Sequence, residues 1–197
     1  MKTIFEYIPV KSHGLVNQYL VDYPVKFKIS NKRYSKHGDY RYYSNGDEQI
    51  SVNSNLNPYR FLITLIHEIS HLVAFKTYGR SINPHGKEWK ETFKSLMNPF
   101  LKVDIFPENL LKTLKKHFVN PKSSTDSDFE LSLALNLYNK KQGLYLYEIS
   151  LGRIFKIYNG KVFRKELVRR KKIECVELNS KKRYLFSPLA EVELLEN

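Results

Sequence analysis

A single cysteine, Cys175, stands in a chain of 197 residues. It excludes an internal disulfide and any zinc ribbon built on cysteine ligands. No apolar run reaches the roughly 18 to 20 residues that cross a bilayer. The strongest candidate, "LITLIHEISHLVAF" from Leu62 to Phe75, is interrupted by ionisable groups and flanked by Arg60 and Lys76. The opening "MKTIFEYIPV" is broken by Glu6 and Pro9 before a signal-peptide core could form. A cytoplasmic protein with no membrane partner is therefore expected. Glycine and proline are scarce at 8 each, which excludes collagen-like and low-complexity chains. Acidic residues are the minority sign, 20 against 33 basic ones, for a net charge of +13. Residues 140–185 carry most of the excess, with 14 basic and 4 acidic side chains. Such a segment is expected to attract a polyanion such as nucleic acid, or else to serve as a solvated face.

What is present suits a globular fold: 42% hydrophobic and 14% aromatic residues, with 14 Tyr and 12 Phe supplying bulk. This length supports one domain with a proper core, or one domain plus a small appendage. After a short helix within 1–22, "VKFKIS", "DYRYYS" and "QISVN" alternate as strands of a small antiparallel sheet. "NLNPYRF" is a helix start, with Asn57 as N-cap and Pro58 in the first turn. The helix is predicted to run to Tyr78 and to be capped by Gly79. Further helices are predicted over the Trp89, Phe93, Leu96 periodicity, over "ENLLKTLKKHF", and over "FELSLALNLYNKKQG" as far as Gly143. The polar "NPKSSTDSD" reads as a boundary, dividing a domain at 1–122 from a linker helix and small basic β module at 123–197. Two-residue hairpin turns are predicted at Asn159-Gly160 and Asn179-Ser180. The fold class expected is α+β.

His67, Glu68 and His71 spell HExxH. In a helix the two histidines differ by only about 40° in azimuth, one turn apart on one face, where two imidazoles can grip one ion. Leu62, Leu65, Ile66, Ile69, Leu72 and Val73 fall on the opposite side, so one face reads as core and the other as a site. Chance alone produces HExxH in such a chain on the order of one time in a hundred. Catalytic zinc takes three protein ligands. His85 is the first choice for the third: α-helix carries the chain about 10 Å from His71 to Tyr78, and seven extended residues return about 23 Å. Glu88 and Glu91 compete for the same role. Glu68 is placed to accept a proton from a zinc-activated water and to pass it to a leaving amine. Arg60, Thr64 and Tyr78 project on the histidine side, where ordinary packing accounts for them.

"FLITLIHEISHL" followed by "GRSINPHGKEWKETF" resembles the SprT-like family of zincin metalloproteases, which includes the Spartan proteases that cleave proteins crosslinked to DNA. The resemblance covers roughly residues 25 to 120 and rests on HExxH followed by HGxxW, here His85, Gly86 and Trp89. It implies Zn2+ as cofactor, His67, His71 and His85 as ligands in preference to the glutamates, Glu68 as catalytic base and protein as substrate. Many members carry a four-cysteine ribbon after the protease domain. Here that region has only Cys175, expected to be a small buried residue in a ribbon that has lost its metal.

Two functions of different class follow. One is a zinc endopeptidase acting on proteins bound or crosslinked to DNA. The other is a nucleic-acid-binding protein whose zinc only stabilises the fold. In either, Arg169, Arg170, Lys171, Lys172, Lys181, Lys182 and Arg183 are the candidate phosphate contacts, flanked by Tyr158, Phe163 and Tyr184. "RYSKHGDYRYY" mixes Tyr with basic residues, which suits either nucleic acid or exposed sheet and turn. His13, His37 and His117 lack partner spacing and read as surface or packing residues.

Overall fold

The computed structural model describes residues 3–139 and 143–195, and the chain divides into two units, Met1–Asn139 and Lys140–Asn197. Chain order in the first unit is α1 (His13–Asp22), β1 (Lys26–Ser30), β2 (Gly38–Tyr42), β3 (Glu48–Asn53), α2 (Pro58–Tyr78), α3 (Lys87–Met97), α4 (Glu108–Val119) and α5 (Phe129–Asn136). The mixture of helices with a small sheet agrees with the α+β expectation.

α2 organises this unit. Asn57 starts it: its side chain accepts from the Arg60 N–H, and Pro58 occupies the first turn. Gly79 ends it at φ 80, a conformation open to a residue without Cβ. Leu62, Leu65, Ile66, Ile69 and Leu72 are all 1% exposed or less, each contributing about 1.5–3 kcal/mol of burial. Phe61, Ile63 and Ala74 are buried as well, so the helix runs through the core rather than lying on it.

The sheet differs from the all-antiparallel expectation. Its order is β1-β3-β2, with β1 parallel to β3 and only β2 antiparallel. Ile50, Ser51, Val52 and Asn53 of β3 are all buried, which suits a central strand covered on both faces. Alternation along β1 and β2 shows which residues face inward but carries no information on which strand lies beside which.

The division of the chain also lies further along than 122/123. Leu131 and Leu135 of α5 are fully buried in the first unit's core. The Arg60 guanidinium fastens the same segment, reaching Thr125 Oγ1, Asp126 Oδ1, the Ser132 carbonyl and Asn136 Oδ1 at 2.6–3.3 Å. "NPKSSTDSD" reads as a linker by composition, yet a buried arginine on α2 bonds to two of its side chains, Thr125 and Asp126. α5 stops at Asn136, short of Gly143, and Lys140, Lys141 and Gln142 of the predicted helix lie outside the described residues.

The second unit contains β4 (Leu144–Tyr145), β5 (Ile154–Lys156), β6 (Val162–Val168), β7 (Ile173–Glu177), β8 (Arg183–Phe186) and β9 (Glu191–Leu194), in the order β4-β9-β5-β6-β7-β8. Its core is Leu146, Ile149, Phe155, Phe163, Ile173, Cys175 and Val192. Cys175 is fully buried, as expected of a small packing residue. Both hairpin loops are longer than two residues. Ile157 N–H still bonds to Lys161 O across the first, with Gly160 at φ 82. In the second it is Lys181, not Asn179 or Ser180, that takes the left-handed conformation, at φ 59.

Candidate metal centre

His67 and His71 project from one face of α2, and His85 comes to them from the turn before α3. That turn is tight: Gly86 N–H bonds to Asn83 O at 2.9 Å, and His85 sits at φ 62 in the left-handed region. A Cβ on Gly86 would meet Asn83 O at 2.9 Å, so the glycine after the histidine is needed for room. The three Nε2 atoms then stand 3.1–3.2 Å apart. Among the described residues, these three histidines are the group whose ligand atoms could hold a metal ion. Glu88 and Glu91 do not join it.

Trp89 explains the last letter of the HGxxW motif. It is fully buried, with its ring centroid 4.6 Å from His67, 5.2 Å from His71 and 4.6 Å from His85. One rigid indole thus backs all three imidazoles and limits their rotamers. Phe93 supports His67 from the same helix as Trp89, at 5.4 Å.

The donor set fits zinc. Burial, then the neighbouring His71 and His85, holds the His67 pKa well below its ordinary value. Burial, then His85, lowers His71 to about 3, and burial lowers His85. All three rings are therefore neutral at neutral pH, with lone pairs to share. Zn–N bonds of about 2.0–2.1 Å in a tetrahedron put nitrogens roughly 3.3 Å apart, close to the spacing found.

Glu68 lies beside these ligands and is 6% exposed. Burial pushes its carboxyl up to about 8, and Asp39 adds to the rise, while a hydrogen bond from the Tyr40 N–H and the charges of Arg33 and Lys36 oppose it. It can exchange a proton near neutral pH. Glu68 and the three histidines line a cleft of about 550 Å³ whose walls include β2 and the polar Ser123–Asp126 segment.

Several residues set aside in the sequence take part in this cleft. His37 lines it and meets Asp126 Oδ2 at 2.8 Å. Thr64 lines it too, and Arg60 ties down the segment that forms one wall. Tyr78, 47% exposed, is not among the lining residues. His117 is buried, its Nδ1 2.8 Å from Asp128 Oδ2. The signal for β2 was present in "KHGDY": a glycine at the edge of a strand marks close approach by another group.

The candidate phosphate contacts fall into two classes. Arg169 and Arg183 both grip Glu174. Arg170, Lys171, Lys172, Lys181 and Lys182 have no ion pair among the described residues. They fall into two groups, because the 169–172 and 178–182 turns lie at opposite ends of the five-residue strand β7, about 15 Å apart at strand rise.

The profile of the SprT-like family matches residues 13–115. The chain belongs to the SprT-like family, and this membership points to a metallopeptidase-like role. It is similar to Protein SprT of Vibrio parahaemolyticus serotype O3:K6 (strain RIMD 2210633), 44% identical over 52 residues, which is 24% of this chain and 31% of that protein. The matched stretch thus spans about a third of the length of that relative. No solved structure gives a significant match. No helix among the described residues is long and apolar enough to cross a membrane.

Proposed function

We propose that this chain is a zincin-like, zinc-dependent endopeptidase that hydrolyses peptide bonds in protein substrates. The observation that carries the reading is the convergence of three neutral imidazoles beside a buried, proton-exchanging carboxylate in one cleft. His67, His71 and His85 would hold the ion. When bound, zinc supplies Lewis acidity that polarises a carbonyl and makes water acidic near pH 7. Glu68 accepts the proton released as water adds to the scissile carbonyl carbon. It then delivers that proton to the amide nitrogen as the C–N bond breaks and the amine leaves. Trp89 and Phe93 keep solvent from the back of the imidazoles, so that those rings stay neutral and oriented.

A cytoplasmic substrate bound or crosslinked to DNA is the class we favour, recruited by the β module. Its support is the net excess of basic side chains in 140–185 and the five cations there that no acidic partner neutralises among the described residues. A purely structural zinc would be expected to have a fourth protein ligand, and among the described residues the group that comes together is the three histidines.

Metal analysis joined to a cleavage assay, with and without DNA, tests ion, chemistry and recruitment together. Purified wild type is expected to hold one zinc and to cleave a DNA-bound protein faster than the same protein free. Glu68→Gln is expected to keep the zinc and lose cleavage. Equal cleavage by the two proteins would remove Glu68 from the mechanism.

A further inference from the structure

Gly38 opens β2 at the point where that strand passes over α2. A Cβ built there would stand 2.5 Å from Glu68 Oε1, 2.8 Å from Glu68 Cγ and 2.7 Å from Thr64 Cγ2. Real Cβ atoms do not approach other heavy atoms so closely. The backbone conformation is not the reason for a glycine, since the positive-φ glycines are at 46, 79, 152 and 160. Space is the reason, and the space belongs to Glu68.

Two residues further along β2, Tyr40 lines the same cleft as Glu68. Tyr40 is itself braced: its ring stacks on Phe75 of α2 at 5.7 Å, and its hydroxyl donates to Glu48 Oε1 at 2.8 Å. Register pairs Gly38 with Val52 and Tyr40 with Ile50, both buried. The strand therefore has a firm base from which to set the position of a side chain on the helix beneath it.

We propose that Gly38 is a positioning residue for Glu68: by leaving out a side chain, it lets the β2 backbone close on the carboxylate and hold it in one place. This rests on the reading of Glu68 as the base. The atoms that a methyl group at 38 would displace are the far end of a flexible side chain and a threonine methyl. Relief therefore comes by swinging Glu68 aside, at little cost to folding and at large cost to its placement.

The test compares zinc-loaded wild type and Gly38→Ala by crystallography, zinc titration and cleavage of fluorescently labelled casein. The carboxylate of Glu68 is expected to move away from position 38 in the variant, with zinc affinity unchanged within about threefold. kcat is expected to fall about 100-fold, the scale of an ångström-sized misplacement, with KM within about threefold. Adding Thr64→Ser, which takes away the threonine methyl that crowds position 38, is expected to restore part of kcat. Glu68 in its wild-type place in the variant crystal would overturn the proposal, as would a kcat loss matched by loss of zinc. If wild type fails to cleave casein, the peptidase reading suffers, while the position of Glu68 still decides this inference. Should Gly38→Ala not fold, Gly38→Ala in a Glu68→Ala background removes both crowding atoms of the glutamate and is expected to fold as Glu68→Ala does. Failure there as well would mean that the glycine makes room for Thr64 or the sheet and not for Glu68.

Discussion

Both units bury ionisable side chains, and they treat them in opposite ways. In the β module Lys165 is 4% exposed, yet its ammonium donates to the Leu146 and Ile149 carbonyls at 2.9 and 2.6 Å. Glu174 is gripped by Arg169 and Arg183, whose hydrogen bonds hold its pKa below the ordinary value. Glu177 takes Lys161, Ser180 and Tyr184. Each buried charge there is answered within the unit. In the first unit the three metal-site imidazoles face one another, and Glu68 has no cation in an ion pair with it among the described residues. Burying a charge without a paired opposite charge is costly, and a cleft that sets a buried carboxyl beside three half-buried imidazoles turned toward one another is suited to a ligand. The difference sets ionisable groups that answer one another within the fold apart from those the proposed function gives to chemistry.

The largest expected break in that contrast comes from Glu68→Gln. Cleavage should fall by about 10³-fold, within the range for loss of a general acid–base group, with zinc stoichiometry and thermal midpoint nearly unchanged. A thermal midpoint that fell along with activity would put Glu68 in the structural class.

Arg60→Met tests a buried charge of the first unit that is answered by hydrogen bonds. It should lower stability by about 2–3 kcal/mol, the value of hydrogen bonds to a charged group, in urea unfolding at pH 7. Asp126 links this to pH. Burial alone would raise its carboxyl, but the hydrogen bond and charge of His37, together with Arg60, outweigh that and hold it well below the usual carboxylate range. A depressed folded pKa contributes stability above the unfolded value, lost as pH falls through the folded one. Wild-type stability should therefore decline below about pH 4, and Arg60→Met should show a shallower decline. Identical slopes for the two proteins would detach Asp126 from Arg60.

Lys165→Met leaves two buried carbonyls without a donor. It should destabilise the β module by about 2 kcal/mol, seen as faster amide exchange across Ile154–Glu177, with cleavage of a DNA-free substrate unchanged. The smallest effect belongs to the surface. Replacing Arg170, Lys171 and Lys172 with Gln should weaken DNA binding about tenfold at low salt and flatten its salt dependence by about 0.9 for each phosphate no longer neutralised. Arg169→Gln should weaken the Glu174 clasp instead; equal reductions of DNA affinity from the two replacements would show that the clasped arginine is as available to phosphate as the free ones.

Much of the metal helix is legible in one dimension because its determinants are local. Asn57, Pro58 and Gly79 bound α2 where capping chemistry places them, and the i, i+4 spacing puts His67 and His71 on one face. The same Asn57 also donates to Leu135 O and Asn139 Oδ1, and no local rule reaches across 78 and 82 residues. The polar stretch before α5 reads as a linker for a related reason. Its partners, Arg60 and His37, come from distant elements, so composition alone misses the contacts that hold it. The parallel pairing of β1 with β3 escapes for want of any local signature of strand order.

The sequence by itself determined a capped helix carrying two histidines and a glutamate on one face, and a family motif naming a third histidine. Helix periodicity and capping act over a few residues, so they are written in consecutive letters. Only the tertiary structure shows that His85 and not a glutamate comes to rest beside His67 and His71, that Trp89 backs all three rings, and that β2 passes close to Glu68 at Gly38. Those outcomes depend on where separate elements come to rest against one another, and packing is settled by the whole core at once.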